Sequence, residues 1–361
     1  MKNKYLVYLN WPERCFRALP ADIDFLKTLL PRGAEVVVVK SDAAFLRELP
    51  SATHVITWHF KKEWYAKAAK LKVVATPGAG RELVSQDAPK GVKIHFGGFH
   101  GAIMSETVVA FILAYAHGFF AARAYAGYGG AKPSEIPNWP RAELSDSCFT
   151  IAGTRAAIVG YGRIGHLIGE KLAALGVHVT GYRRANIADL DAELPNVDWL
   201  VLALPSDTGT DNFLSKARLA KLPRRAVVVN VGRGNAIDEA ALLAALRSHR
   251  LAAAYLDVFK GEPGPLTMGP VPNVSNASRP LVPDAARVPL VASTSLAATV
   301  SGKPLGRREC RKGREGRETC SILGTDPIAL PPNLIRMPHS SAFSRDYMKR
   351  CFTELKNDGC L

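Results

Sequence analysis

Short, unbroken apolar runs punctuate the first hundred residues: YLVYL (5–9), EVVVV (35–39), HVITW (54–58), KVVAT (72–76) and VKIHF (92–96). A strand with one wet face alternates apolar and polar residues, whereas a strand covered on both faces reads as a continuous Val/Ile-rich run. The runs lie 14 to 26 residues apart, with helix-like segments between them, so they predict parallel strands joined by crossover helices. A longer helical stretch, IMSETVVAFILAYAHGFFAARAYA, begins at Ile103, and a loop rich in Gly, Pro and Trp follows over 127–141. That loop reads as a crossing between domains.

A second series begins at Ala156: AAIVG, VHVTGY, DWLVLALP, AVVVNVG, LAAAYLDVF and finally NLIRMPH. Both series fit an α/β fold with two doubly wound parallel sheets. One stretch breaks the pattern. Over 266–324 no helical or strand period persists, and Pro, Gly, Ser and Arg are scattered throughout. It is too long for an ordinary connection in a compact domain. It is expected to be disordered, or foreign to the functional protein, as a retained intron would be; a genuine flexible surface insertion is the alternative.

Composition narrows the class. A chain of 361 residues with 47% hydrophobic content is long enough for two ordinary domains. No apolar run approaches the roughly 18 residues of a spanning helix, and Asn10 and Pro12 interrupt the apolar N-terminus, so neither a membrane span nor a signal peptide is expected. The six cysteines show no CxxC spacing, which argues against a metal site or a disulfide scaffold and for the cytoplasm. The net charge of +15 is uneven: the irregular stretch holds nine Lys/Arg against four acids. A nucleic-acid-binding reading is thereby weakened, because a third of the excess lies in a segment without structure-forming pattern.

Chemistry enters at Gly160-Tyr161-Gly162-Arg163-Ile164-Gly165, a GxGxxG that follows an apolar strand and opens a helix whose apolar face is Ile164, Ile168, Leu172 and Leu175. In that context the motif predicts a dinucleotide site, with helix N–H groups aimed at a pyrophosphate. At the end of the second strand, where NAD-binding units carry an acid for the ribose hydroxyls, stand Arg183 and Arg184. A guanidinium pairs with a 2′-phosphate that a carboxylate would repel. The expected cofactor is therefore NADP, with NAD possible; Asp189 lies beyond the strand's expected end.

Three further motifs, VNVGRG around Arg233, LDVFKGEP ending near Glu262, and MPHSSAF with His339, appear in that order after the glycine loop. Together they resemble the D-isomer-specific 2-hydroxyacid dehydrogenases, a family that includes glyoxylate/hydroxypyruvate reductases. The resemblance implies a flavodoxin-like substrate domain (1–100 and 341–361) and a Rossmann dinucleotide-binding domain (101–340, interrupted at 266–324). It implies that Arg233 binds the substrate carboxylate, that His339 exchanges a proton with the substrate oxygen, and that Glu262 holds the imidazole. It adds Pro205 and Asp257 as cofactor contacts, and Ala79 and Gly80 of TPGAGREL as a cradle for the carboxylate. Formate dehydrogenases of this fold carry Gln where Glu262 stands, which disfavours formate.

The implied activity is reduction of a small 2-keto acid to its (R)-2-hydroxyacid by a cytoplasmic homodimer that binds neither nucleic acid nor membrane. The alternatives are a phosphoglycerate-type dehydrogenase and a non-catalytic NAD(P)-sensing, corepressor-like protein. Two features depart from the family pattern. Glu262 and His339 are 77 residues apart where relatives have about 20, an added closure cost of only about 1.2 kcal/mol. The chain is also expected to lack a tail that completes the substrate domain in relatives.

Overall fold

A computed structural model of the chain describes residues 3–11, 14–120, 145, 147–261, 333–337 and 339–361. The irregular stretch 266–324, the 127–141 loop and Glu262 lie outside the described residues.

The first half builds strands β1 (Lys4–Tyr8), β2 (Glu35–Val38), β3 (His54–Thr57), β4 (Val73–Thr76) and β5 (Lys93–Phe96), with helices α1 (Pro20–Leu29), α2 (Asp42–Glu48) and α3 (Lys62–Tyr65) between them. They form a parallel sheet in the order β2-β1-β3-β4-β5, the flavodoxin-like winding. Helix α4 (His100–Ala116) leads to the second half, whose strands are β6 (Arg155–Val159), β7 (His178–Tyr182), β8 (Trp199–Leu202), β9 (Val227–Asn230), β10 (Ala253–Leu256) and β11 (Leu334–Arg336). Its helices are α5 (Arg163–Ala174), α6 (Leu190–Glu193), α7 (Lys216–Lys221) and α8 (Glu239–Arg247), and α9 (Tyr347–Asn357) closes the chain. The second parallel sheet runs β11-β10-β9-β8-β6-β7. Its order reverses between β6 and β8, which places a switch-point crevice at the end of β6.

Both sheets are covered on both faces, which explains the unbroken apolar runs. In β6, Ala157 and Val159 join Leu200, Leu242 and Leu246 on one face, while Ala156 and Ile158 join Ile168 of α5 and Val108, Phe111 and Ile112 of α4 on the other. The first sheet packs Leu6, Val55 and Val74 against Phe45 and Trp64, and Val7, Ile56 and Ala75 against Ile23, Leu26, Phe352 and Leu355. Helix α9 thus returns to the first sheet from the far end of the chain. None of the described helices is long and apolar enough to cross a membrane.

Candidate active site

The glycine turn follows β6 and sits at the reversal of strand order. Gly160 has φ +92°, and a Cβ there would lie 2.5 Å from the carbonyl oxygen of Ala203. A Cβ on Gly165 would lie 2.5 Å from the oxygen of Gly160, so α5 packs directly on the turn that launches it. Gly162 differs: a Cβ there meets nothing within 4 Å, and Gly162 caps α5 without a side-chain hydrogen bond. The turn therefore presents the open N-terminus of a twelve-residue helix, a fit for a dinucleotide pyrophosphate.

Tyr161 donates its N–H to the oxygen of Tyr182, as does Gly160, each at 3.0 Å. Its ring lies against Gly169 of α5 and Gly181 of β7, positions where any Cβ would collide with it. Neither glycine belongs to the GxGxxG, and their pairing with an aromatic residue leaves no periodic mark in the sequence. Ile164 packs partly buried against the core shared by α4 and α5.

Arg183 and Arg184 follow the last residue of β7. Arg183 donates from Nε to the carbonyl oxygen of Tyr161 at 2.7 Å, which bends its guanidinium onto the rim of the glycine turn. Arg184 is 94% exposed and pairs with Asp207 at 3.1 Å, on the loop after β8 that also carries Pro205. The Pro205 carbonyl accepts the Thr210 hydroxyl at 2.8 Å. Asp189 lies in a 3-10 turn, Ile187–Asp189, clear of the strand.

Arg163 points elsewhere. Its Nη1 donates to Glu354 of α9 at 2.9 Å, and Glu354 also accepts the N–H groups of Gly98 and Phe99 just before α4. Burial alone would push the Glu354 carboxyl up, but His95 and those two N–H groups lower it. His95 in turn is drawn down by burial, yet Cys360 and Glu354 raise it to about 9. His95, Glu354 and Asp358 are close enough to share an ion, but the Glu354 oxygens are already taken by backbone and Arg163.

Arg233 stands between two glycines that admit close neighbours. A Cβ on Gly232 would lie 2.5 Å from the oxygen of Leu204, and one on Gly234 would collide with the backbone of Phe259. The guanidinium donates through Nη1 to the Gly232 oxygen and through Nη2 to Glu82 at 2.9 Å. A Cβ on Gly80 would lie 2.6 Å from that Nη2, so the Ala79–Gly80 turn of the first sheet and Arg233 of the second meet. Ala79 is exposed and Gly80 buried. The Glu82 pairing is a contact between residues 151 positions apart and carries no local signature.

His339 is exposed, follows β11, and has φ +52°, the left-handed region that costs a non-glycine residue about 1–2 kcal/mol. The ends of β9 and β11, which lead to Arg233 and His339, are separated by β10 alone, so these strand ends lie about 10 Å apart. Asp257, at the end of the intervening strand, is fully buried. Its carboxylate accepts the N–H groups of Ser340 and Ser341 at 2.8 and 3.1 Å.

The residues matched by family comparison include strands β6 to β10 of this second sheet. Residues 116–279 match the model of the D-isomer specific 2-hydroxyacid dehydrogenase NAD-binding domain. Over that stretch, somewhat less than half of its length, the chain is similar to that family. It is 34% identical over 242 residues to the D-3-phosphoglycerate dehydrogenase of Mycobacterium leprae, covering 63% of this chain but only 42% of that protein. It is 27% identical to the glyoxylate reductase of Thermococcus litoralis, covering 60% of this chain and 69% of that one. Among solved structures, the NADPH-dependent glyoxylate/hydroxypyruvate reductase of Sinorhizobium meliloti, in complex with NADP and sulfate, superposes with a TM-score of 0.64 at 24% identity, covering 99% of this chain and 93% of that one. At that identity the likeness establishes the two-sheet fold. The chain thus spans less than half the length of the mycobacterial relative it matches.

A residue outside the family motifs also faces this region. His100, at the start of α4, is buried and its Nε2 lies 2.6 Å from the Tyr347 hydroxyl. Burial lowers it to about 4, and the charges of Arg233 and His339 act in the same direction. The imidazole is therefore neutral at physiological pH, a packed partner of the site.

Proposed function

We propose that this chain is an NADPH-dependent reductase of small 2-keto acids such as glyoxylate or hydroxypyruvate, yielding the (R)-2-hydroxyacid. The observation that carries the reading is the meeting of the Ala79–Gly80 turn with Arg233, beside strands whose ends also bear His339 and the glycine turn. The first sheet with 341–361 acts as the substrate domain, and 101–340 as the cofactor domain. The enzyme works as a homodimer in the cytoplasm.

Bound NADPH supplies the hydride. Gly160, Gly162 and Gly165 shape the turn for the pyrophosphate, helped by the backbone of Tyr161, Arg163 and Ile164, while Arg183 and Arg184 receive the 2′-phosphate. Arg233 exchanges Glu82 for the substrate carboxylate and polarises the adjacent keto oxygen. His339 delivers a proton to that oxygen, and Glu262 stabilises the charged imidazole.

The test is NADPH consumption, followed by nicotinamide absorbance, with glyoxylate, hydroxypyruvate and 3-phosphohydroxypyruvate. Turnover with the first two supports the proposal. The mycobacterial relative favours a second reading, a phosphoglycerate-type dehydrogenase, which exclusive use of the phosphorylated acid would select. Cofactor binding without turnover of any acid would instead mark a nucleotide-sensing protein.

A further inference from the structure

The candidate catalytic residues Arg233 and His339 both sit on irregular turns, and a turn by itself holds a side chain loosely. Behind each turn lies a fully buried polar residue from a strand end: Asn230 of β9, the strand that leads into the Arg233 turn, and Asp257, immediately after β10 beside β11. The Asn230 side chain reads the Arg233 turn in both senses. Its Oδ1 accepts the Gly232 N–H and its Nδ2 donates to the Arg233 carbonyl, each at 3.1 Å. Asp257 does the same work for the other turn, accepting Ser340 at 2.8 Å and Ser341 with both oxygens at 3.1 Å. Thr107 of α4 completes that second clamp by donating its hydroxyl to the Ser341 carbonyl at 3.0 Å. The two clamps are joined, because the N–H of Asp257 donates to the oxygen of Asn230 at 3.0 Å.

We infer that Asn230 and Asp257 are paired positioning residues, which set the Arg233 and His339 turns at a fixed spacing and so align carboxylate binding with proton delivery. The inference rests on the proposed reductase reading for its kinetic consequence, though not for the clamps themselves. A buried carboxylate is a costly way to satisfy two N–H groups unless their placement matters, and His339 is held at φ +52° in the turn it secures. The carboxylate meets those backbone groups with both oxygens, so Asp257 acts on His339 through the turn that carries it.

The experiment compares the full chain with D257A, D257N and N230A. Hydrogen exchange read on peptides is the activity-independent arm: D257A speeds exchange across 339–345 at least tenfold and N230A does so across 231–236, each sparing the other turn. In the kinetic arm, D257A lowers kcat for the keto acid at least a hundredfold and distorts the pH profile. N230A chiefly raises its KM and leaves the NADPH Kd within about threefold. D257N retains an oxygen for Ser340 and Ser341 and recovers a tenth or more of the parent kcat. The proposal is overturned if D257A leaves exchange at 339–345 unchanged, or if it weakens NADPH binding tenfold while kcat stays level. Should the parent chain turn over no keto acid, the reductase reading fails and the exchange arm alone decides the clamps.

Discussion

Replacing Arg183 by alanine isolates a guanidinium that is aimed, by its own hydrogen bond, at the rim of the glycine turn. Its Nε is anchored on the Tyr161 carbonyl at 2.7 Å, which leaves the Nη groups to receive a 2′-phosphate without a search through rotamers. A hydrogen bond to a charged group is worth about 1.5–3 kcal/mol, so losing this contact is expected to cut kcat/KM for NADPH by about 10- to 150-fold. Arg184 offers less. It is almost fully exposed and must first leave Asp207, in a pair worth at most about 1 kcal/mol, so R184A is expected to cost about fivefold or less. Neither change touches a group that NADH carries, and kcat/KM for NADH should move by no more than about threefold. Initial rates with each cofactor at saturating keto acid, at low and raised ionic strength, give the ratio; the NADPH loss should shrink as salt rises. Equal losses with both cofactors, or a parent chain that prefers NADH, would refute the assignment.

Other consequences follow from single contacts. Replacing Gly160 by alanine strains a φ of +92° and drives a methyl into the Ala203 carbonyl, so the thermal midpoint should fall by several degrees. G162A has open space and ordinary φ, so it should melt like the parent yet bind cofactor at least tenfold more weakly. Removing the Glu82 carboxylate as E82Q frees Arg233 from a partly exposed pair, so the keto-acid KM should drop by about two- to fivefold; an unchanged KM denies the exchange. The buried His54 and His100 have both been lowered to about 4. Each stabilises the fold above pH 6.5 and loses that contribution as pH falls towards 4, whereas His95, raised to about 9, loses its own as pH rises from 6.5 to 9. Urea midpoints across that range should therefore peak near pH 6.5; a midpoint that climbs steadily to pH 9 contradicts the His95 network.

Much of the architecture was legible in the sequence because it follows from local rules. Strands buried on both faces declare themselves as runs such as AVVVNVG, and the GxGxxG could be trusted because a strand preceded it and an amphipathic helix followed. The ordered motifs around Arg233 and His339 likewise pointed to strand ends that the fold brings near one another. What was not legible depends on contacts distant along the chain. Glu82 reaching Arg233, Glu354 closing the N-terminus of α4 while holding Arg163, and Tyr161 wedged against Gly169 and Gly181 leave no periodic trace. The left-handed backbone of His339 was hidden for a related reason: it lies in a turn whose next two residues are held by the distant Asp257, and no residue type at that position announces it.

The most direct measurement is of product. The protein is incubated with NADPH and hydroxypyruvate, and the glycerate formed is resolved on a chiral column and compared with the NADPH consumed. Equimolar (R)-glycerate, falling at least a thousandfold in rate in R233A and H339N, is the predicted result. Tight NADPH binding with no glycerate, or the (S) product, would contradict the account.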